Sequence, residues 1–290
     1  MKWYPITDKT DYIDLGWSLV AVYHLTDTEL ILIDSGTVPA PEFLADLELR
    51  GLTVRAILCS HPHHDHIANN PALHQRYNCE IYVPEEGLTS ASEAGYPLYP
   101  DTPGLTELPP LIPIPAGAPY LEIDGARLQL IPTPGHMPGH LAIATPDGVC
   151  FLGDAVVSPE ILPLFKLPYM TDVDQSLESM ETIRQTRYPF YLVSHKGLTP
   201  FAGLQELVEL NVKKELDIYD ILRGQITRPL PLEDLVSRFL NALNVSPRKQ
   251  SSPWIRETSL SRIHSLIRAG EISLEDGIVC PVRSTAQKNR

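Results

Sequence analysis

Short apolar runs alternate with amphipathic stretches through the first third of the chain. Residues 19–25 and 30–33 are apolar runs of strand length separated by a few polar positions, which predicts a β-hairpin. Residues 39–49 then show helical spacing, and residues 54–59 form another continuous apolar run. The next two elements in the pattern are a helix and a strand, over 67–77 and 81–83. Strands and helices therefore interleave, which predicts sheets with helices packed on their outer faces.

The middle of the chain combines proline-rich segments with short strands. Residues 97–119 contain many prolines, which break helices and remove donors from strand ladders, so we expect a long surface loop there. Four apolar runs separated by turn residues lie over 120–152 and predict an antiparallel meander. A proline-containing flap over 156–172, a helix over 173–187 and a strand over 191–194 complete this part.

From about residue 201 the pattern changes to nearly all helix. The predicted elements are helices over 204–222, 232–243 and 260–268 and a short hairpin over 270–282. Helices followed by such a hairpin are typical of a winged-helix-like module. We therefore predict a first domain over 1–200 and a mostly helical C-terminal cap domain over 201–290.

Composition and charge narrow the classes of protein that fit this pattern. With 290 residues, 43% of them hydrophobic, the chain can bury a large core. Its net charge of −13 disfavours nucleic acid as a partner, because bulk phosphate binding requires a basic surface. No apolar run approaches the ~18 residues that cross a bilayer, and Asp8, Asp11 and Asp14 lie where a signal peptide would be apolar. We expect a cytoplasmic protein that does not associate with membranes.

A cluster of histidines follows the predicted strand over 54–59. His61, His63, His64 and His66 occupy four of six positions, together with Asp65. Imidazoles contribute little to an apolar core and each requires hydrogen bonds, so such a cluster needs another explanation. Imidazole and carboxylate groups suit zinc, iron or manganese, and a loop at a strand end can aim alternate side chains at two neighbouring points. The cluster therefore predicts a metal site.

Three further residues of ligand type follow predicted strands later in the chain. His136 lies in the stretch Thr133–His140, Asp154 follows Gly153, and His195 follows the strand over 191–194. Each alone is an ordinary loop residue. Together with His61, His63, Asp65 and His66 of the first cluster they supply seven ligands, enough for two metal ions that share one aspartate.

The combination of motifs resembles the metallo-β-lactamase-fold hydrolase superfamily, in its glyoxalase II-like branch. HxHxDH is matched at 61–66, PGHxPGH at 134–140 and GD at 153–154, and the final His is at 195. The resemblance implies an α+β fold, an αββα sandwich with a dinuclear metal centre at one edge. It further implies that His61, His63 and His136 bind one metal, that Asp65, His66 and His195 bind the other, and that Asp154 bridges both. In such families the metals are most often zinc, and iron or manganese in some members.

The resemblance also implies a reaction. A hydroxide shared by two divalent ions would attack an ester-type bond in a small-molecule substrate, such as a thioester, a lactone or a related ester. Asp65 would orient this hydroxide and then pass its proton to the leaving group, which makes Asp65 the candidate catalytic residue. Glyoxalase II itself is disfavoured, because we locate no basic pair for glutathione; Arg248 and Lys249 are adjacent, but nothing in the sequence places them near the site. A homo-oligomer is left open.

Two other activities remain open. The helical C-terminal part is similar to that of a β-lactamase-like group that includes single-strand RNA endonucleases, so phosphodiester hydrolysis is an alternative. Iron-dependent persulfide dioxygenases share HxHxDH but bind a single iron, and they are the second alternative. The net charge of −13 weighs against RNA, and the full ligand set favours two metals.

The sequence also suggests roles for residues near the candidate ligands. Asp34 follows a strand as a turn residue and could bond to a ligand imidazole, while His140 has no ligand position in the motif and is expected to support the site from behind. Lys166, Tyr169 and Lys196 are candidates to meet an anionic substrate, although lysines of this kind are usually solvated.

Overall fold

Two large β-sheets pack face to face in the computed structural model, which describes residues 1–37, 40–93, 98 and 109–282. The first sheet has the strand order β1-β2-β3-β4-β5-β6-β7. Its strands are β1 (Lys2–Pro5), β2 (Thr10–Asp14), β3 (Leu19–His24), β4 (Glu29–Ile33), β5 (Thr53–Leu58), β6 (Glu80–Pro84) and β7 (Ile112–Ile114). Pairing is antiparallel from β1 to β4 and parallel from β4 to β7.

The second sheet has the order β13-β12-β11-β10-β9-β8. Its strands are β8 (Tyr120–Ile123), β9 (Ala126–Pro132), β10 (Leu141–Ala144), β11 (Val149–Phe151), β12 (Phe190–Val193) and β13 (Gly197–Pro200). From β8 to β11 each strand pairs antiparallel with the next, so the predicted meander is confirmed. Strands β11 and β12 pair in parallel, so their C-terminal ends lie side by side although they are separated along the chain.

Helices cover the outer faces of both sheets. The helices are α1 (Ala40–Leu49), α2 (His64–Ile67), α3 (Asn70–Tyr77), α4 (Glu85–Glu93), α5 (Val173–Gln185), α6 (Leu204–Gly224), α7 (Leu232–Ala242), α8 (Pro247–Gln250) and α9 (Pro253–Arg268). Helices α1 and α3 pack on the outer face of the first sheet, and α5 and α6 pack on that of the second. This is the αββα sandwich that the resemblance implied.

The space between the sheets is filled by side chains from the inner faces of both. Ile31 and Leu58 from the first sheet and Leu128, Ile143 and Phe151 from the second belong to one buried cluster. Strands such as β4 are apolar on both faces because helices or the other sheet cover each side, which explains their continuous apolar runs in the sequence. Burial of the apolar side chains between the two sheets is the main stabilising contribution to the sandwich.

The C-terminal part is mostly helical, as predicted. After α9 comes a hairpin of β15 (Ile272–Glu275) and β16 (Ile278–Pro281), and β16 also pairs with the short strand β14 (Leu230–Pro231). A single apolar cluster joins these elements to α5 and the outer face of the second sheet. The division into domains 1–200 and 201–290 stays a prediction. Among the described residues, no helix is both long and apolar enough to cross a membrane.

Several local predictions differ from the structure. Residues 97–119 do not form a continuous loop, because β7 lies within them and extends the first sheet; residues 97 and 99–108 lie outside the described part. The single helix expected over 67–77 is replaced by two: α2 ends at Ile67, and α3 begins at Asn70. The break arises because Pro71 can occupy the first turn of a helix but not its interior. Strands β1 and β2 were missed because β1 is short, mostly exposed and ends in a proline, while β2 has polar residues at three of its five positions.

Candidate metal centre

The predicted ligands meet at one edge of the sandwich. Residues 61–66 follow β5 of the first sheet, and Asp65 and His66 lie on the short helix α2. His136 lies in the loop between β9 and β10, Asp154 follows β11 and His195 follows β12, all in the second sheet. Because these strand ends from both sheets lie at the same edge, residues far apart in number can point into one site.

One group of imidazoles consists of His61, His63 and His136. Nε2 of His61 lies 3.0 Å from Nδ1 of His63, and Nε2 of His136 lies 2.9 Å from the same Nδ1. All three ligand atoms lie within 4.8 Å of one another. Three ring nitrogens facing one point form the kind of set that holds a divalent ion.

A second group consists of Asp65, His66 and His195, with Asp154 between the two groups. Oδ2 of Asp65 lies 3.4 Å from Nε2 of His195 and 3.9 Å from Nε2 of His66. Oδ1 of Asp154 lies 3.3 and 3.5 Å from the same two nitrogens, and its Oδ2 lies 3.6 Å from Nε2 of His136. The two oxygens of Asp154 therefore face different groups, and all the predicted ligands lie together.

Hydrogen bonds to the far nitrogens orient the rings. Nδ1–H of His66 donates to Oδ2 of Asp34 at 2.6 Å. The Nδ1 atoms of His136 and His195 lie 3.1 and 2.9 Å from the backbone oxygens of Tyr169 and Trp17, which can only accept. In the neutral form of all three rings these bonds place the proton on Nδ1 and leave on Nε2 the lone pair that a metal would use.

Asp34 is connected to both groups through Ser60. Nδ1–H of His61 donates to Oγ of Ser60 at 3.0 Å, and this hydroxyl donates to Oδ2 of Asp34 at 2.8 Å. The backbone N–H of Ser60 donates to the other Asp34 oxygen. Asp34 has a φ of 63°, so it is both the expected turn residue and a direct partner of the His66 imidazole. One buried carboxylate thus sets the orientation of a ring in each group.

His140 supports Asp154 and is not placed among the ligands. Its Nε2 accepts the backbone N–H of Asp154 at 3.0 Å, and its Nδ1–H donates to Oγ1 of Thr133 at 2.8 Å. Gly153 makes this contact possible: its φ is 54°, and a Cβ there would lie 2.6 Å from Nε2 of His140. Glycine is therefore required before Asp154 for two reasons: the imidazole ring of His140 leaves no room for a side chain, and the backbone has a positive φ.

Burial keeps several of the imidazoles neutral. Burial, together with the neighbouring imidazoles, holds the pKa values of His61 and His140 well below their usual range and lowers the pKa of His63 to about 3. The pKa of His136 is also lowered, chiefly by burial. Neutral imidazole is the form that binds a metal ion.

The buried carboxylates and the imidazoles next to them stabilise each other's charged forms. Burial opposes their ionisation, yet the nearby imidazoles of His195 and His66 keep the pKa of Asp154 well below its usual range. For His66, burial disfavours the charged form, but Asp154, Asp34 and Asp65 together raise its pKa well above the usual value. The site therefore attracts positive charge in its centre.

The residues present fit divalent metal. Nε2 of His66 is fully buried and makes no hydrogen bond to any described residue, which is costly for a polar atom unless another partner binds there. The donor set of imidazole nitrogens and carboxylate oxygens suits zinc, iron or manganese.

A cavity of about 310 Å³ opens beside the ligands. Its described lining consists of Trp17, His63, Asp65, His136, Asp154, Ala155, Val156, Val157, Phe165, Pro168, Tyr169, Met170, His195, Asn211 and Trp254. Tyr169 is in this lining as the sequence suggested. The lysines at 166 and 196 are exposed and do not belong to it.

Apart from Tyr169, sequence reasoning missed the aromatic residues of this cavity. Trp17 precedes β3, Phe165 lies in the flap, and Trp254 lies on α9 of the C-terminal part. None of them belongs to a motif or to a periodic pattern, so no local signal could have found them. Two histidines outside the cluster have structural partners: Nε2 of His24 lies 3.0 Å from Oδ2 of Asp11, and Nδ1–H of His74 donates to the backbone oxygen of Cys79.

Curated relatives match part of this chain. It is 32% identical over 112 residues to a hydroxyacylglutathione hydrolase of Thiobacillus denitrificans, which is 38% of this chain and 36% of that protein. It is 27% identical over 135 residues to a beta-lactamase-like protein 2 homolog of Drosophila melanogaster, which is 44% of this chain and 43% of that protein. The chain thus spans less than half the length of these relatives.

Solved structures share the fold over nearly the whole chain. A metallo-beta-lactamase family protein from Thermus thermophilus covers 97% of this chain and 97% of its own, at a TM-score of 0.68 and 20% identity. A beta-lactamase domain protein from Burkholderia ambifaria covers 97% and 94%, at a TM-score of 0.69 and 18% identity. At these identities the likeness shows the fold alone. The model of the metallo-beta-lactamase superfamily matches residues 15–195, which contain every predicted ligand, and the chain therefore belongs to this superfamily.

Proposed function

We propose that the protein is a dinuclear metal-dependent hydrolase that cleaves an ester-type bond in a small molecule. The observation that carries the proposal is the position of Asp154, whose two oxygens face the His136 imidazole on one side and those of His66 and His195 on the other. A carboxylate in this position can be shared by two ions. The thioester is the first candidate bond, because several of the matched relatives are named hydroxyacylglutathione hydrolases.

The chain's own residues would perform distinct parts of the reaction. His61, His63 and His136 would hold one ion, and Asp65, His66 and His195 the other. When bound, two divalent ions supply a water of lowered pKa and polarise the carbonyl oxygen of the substrate. Asp34 and Ser60 fix the rings of His66 and His61, so the lone pairs stay aimed at the site.

Asp65 is the residue best placed to move a proton. It lines the cavity, and its side chain is 32% exposed, whereas that of Asp154 is 15% exposed. Its Oδ2 accepts the indole N–H of Trp17 at 3.2 Å, which holds the carboxylate beside the cavity. From there Asp65 would take a proton from the attacking water and deliver it to the leaving group.

Metal removal and reconstitution test the proposal. We expect the purified protein to contain two divalent ions per chain and to hydrolyse a thioester, a lactone or a simple ester, with activity lost on chelation and restored by zinc, iron or manganese. The measurements are elemental analysis and turnover on a substrate panel that includes a short RNA. One iron per chain would support a persulfide dioxygenase instead. Cleavage of the RNA alone, with a steep salt dependence, would support a nuclease.

A further inference from the structure

The cavity beside the metal centre has aromatic walls on two sides. On one side the ring centroids of Tyr169 and Trp254 are 5.1 Å apart, and that of Trp254 lies 5.7 Å from the ring of His63. On the other side Trp17 lies 4.9 Å from the His195 ring and 6.4 Å from Phe165. The two walls therefore flank both groups of ligands.

The charges in the described lining belong to the ligand set alone. The ionisable side chains there are the candidate ligands themselves and Tyr169, and the described lining contains no lysine or arginine. A charged end of an acyl chain that lies against the walls, away from the candidate ligands, would find no counterion among the described lining residues, which is unfavourable. The walls therefore favour an uncharged group.

The polar side chains in the walls are already engaged. Asn211 accepts the backbone N–H of Val157 at 2.8 Å and donates to the backbone oxygens of Val157 and Leu207 at 2.9 Å each. The hydroxyl of Tyr169 donates to Glu257 at 2.6 Å. Their hydrogen-bonding groups are thus used to hold the protein together. What remains for a substrate is largely apolar surface from Val156, Val157 and the aromatic rings.

Resting on the proposed function, we infer that the cavity binds the apolar acyl chain of the ester-type substrate and selects against acyl groups that end in a charge. A volume of about 310 Å³ suits one small chain and lies at the lower end of ligand pockets. Trp254 is a specificity-determining residue in this arrangement, because it brings the C-terminal part into contact with the substrate.

A series of nitrophenyl esters with one leaving group tests the inference in the metal-loaded protein. From acetyl to hexanoyl we expect kcat/KM to rise by about fourfold for each added methylene, the factor that corresponds to burial of one such group. The succinyl ester provides a matched comparison with the 4-methylpentanoyl ester, because the two acyl groups have nearly the same shape and differ in charge. We expect the succinyl ester to be poorer by about tenfold or more.

The Trp254→Ala variant should reduce this dependence on chain length. Trp254 is 39% exposed, and Phe201, which is 41% exposed and lies outside the cavity, offers a matched control. We expect Trp254→Ala to lower the gain per methylene, while Phe201→Ala keeps it. An equal dependence on chain length in Trp254→Ala and the unaltered protein, or rates independent of length, would overturn the inference and leave the proposed function standing.

A binding measurement separates the cavity from the chemistry. Trp17 and Trp254 line the cavity, so intrinsic tryptophan fluorescence should report the binding of octanamide, a neutral amide with an apolar chain. We expect octanamide to bind at least about tenfold more tightly than acetamide, and less tightly in Trp254→Ala. Equal binding of the two amides would overturn the inference. If no ester is hydrolysed with both metals bound, the proposed function is refuted, and this measurement still decides what the cavity accepts.

Discussion

The Asp65→Asn variant is expected to lower kcat by about 10²- to 10⁴-fold, the range typical of a general acid–base residue. Asparagine keeps the size of the side chain and can still accept the indole N–H of Trp17, which lies 3.2 Å from Oδ2. It cannot accept a proton from water at neutral pH. The loss should therefore appear in turnover, with little change in the melting temperature.

Asp65 is also a candidate ligand, so metal content has to be measured in the same preparation. Its Oδ2 lies 3.4 Å from Nε2 of His195, and the amide should weaken an ion held there. Reconstitution with excess metal before the assay separates the two effects. The Asp124→Asn variant is the control, because Asp124 is half exposed and bonds only to Arg55 within the described ion pairs. Near-normal turnover of Asp65→Asn with two bound metals would contradict the catalytic role.

The Arg262→Met variant is expected to destabilise the protein by about 3–5 kcal/mol, because it leaves the carboxylate of Glu215 buried without its counterion. Arg262 is completely buried and Glu215 is 1% exposed, and their closest N–O distance is 2.7 Å. Nε and Nη2 of Arg262 both donate to Oε2 of Glu215, and Oε1 has no hydrogen-bond partner in the described part of the chain. Chemical denaturation measures the loss as a lower midpoint.

The double variant Glu215→Leu with Arg262→Met should recover most of this loss, since replacing both charges by apolar groups is often neutral or stabilising. The control is Arg256→Met on the same helix, whose ion pair with Glu233 is exposed; its effect should stay within about 1 kcal/mol. A single variant as stable as the unaltered protein would show that the buried pair does not stabilise the packing of α9 on α6.

The same arginine connects α9 to the metal centre. It donates to the backbone oxygen of Pro168 at 3.0 Å, and Thr258 on α9 bonds to both Pro168 and Met170. Tyr169, between them, presents its backbone oxygen to Nδ1 of His136. We therefore expect Arg262→Met also to lower metal occupancy, because the flap that orients this ring loses one of its hydrogen bonds to α9.

The order of elements was largely predictable, because the burial of one face of a strand or helix produces a periodic pattern of apolar residues in the local sequence. The hairpin of β3 and β4, the meander from β8 to β11 and helix α5 all appear where periodicity placed them. Strand β7 was hidden by its prolines, and it forms as an edge strand, where a missing N–H is tolerated. Strand β1 was missed because an edge strand that is mostly exposed carries no apolar run.

The sequence by itself determined the family and the candidate ligands, because imidazoles and carboxylates at strand ends are unusual enough to be read residue by residue. It could not determine the walls of the cavity. Trp17 and Trp254 are separated by most of the chain and meet at the same opening only because α9 packs on the flap that follows β11. Ligand type is a property of single residues, whereas the shape and polarity of a cavity depend on which distant surfaces pack together, and the tertiary structure alone decided that.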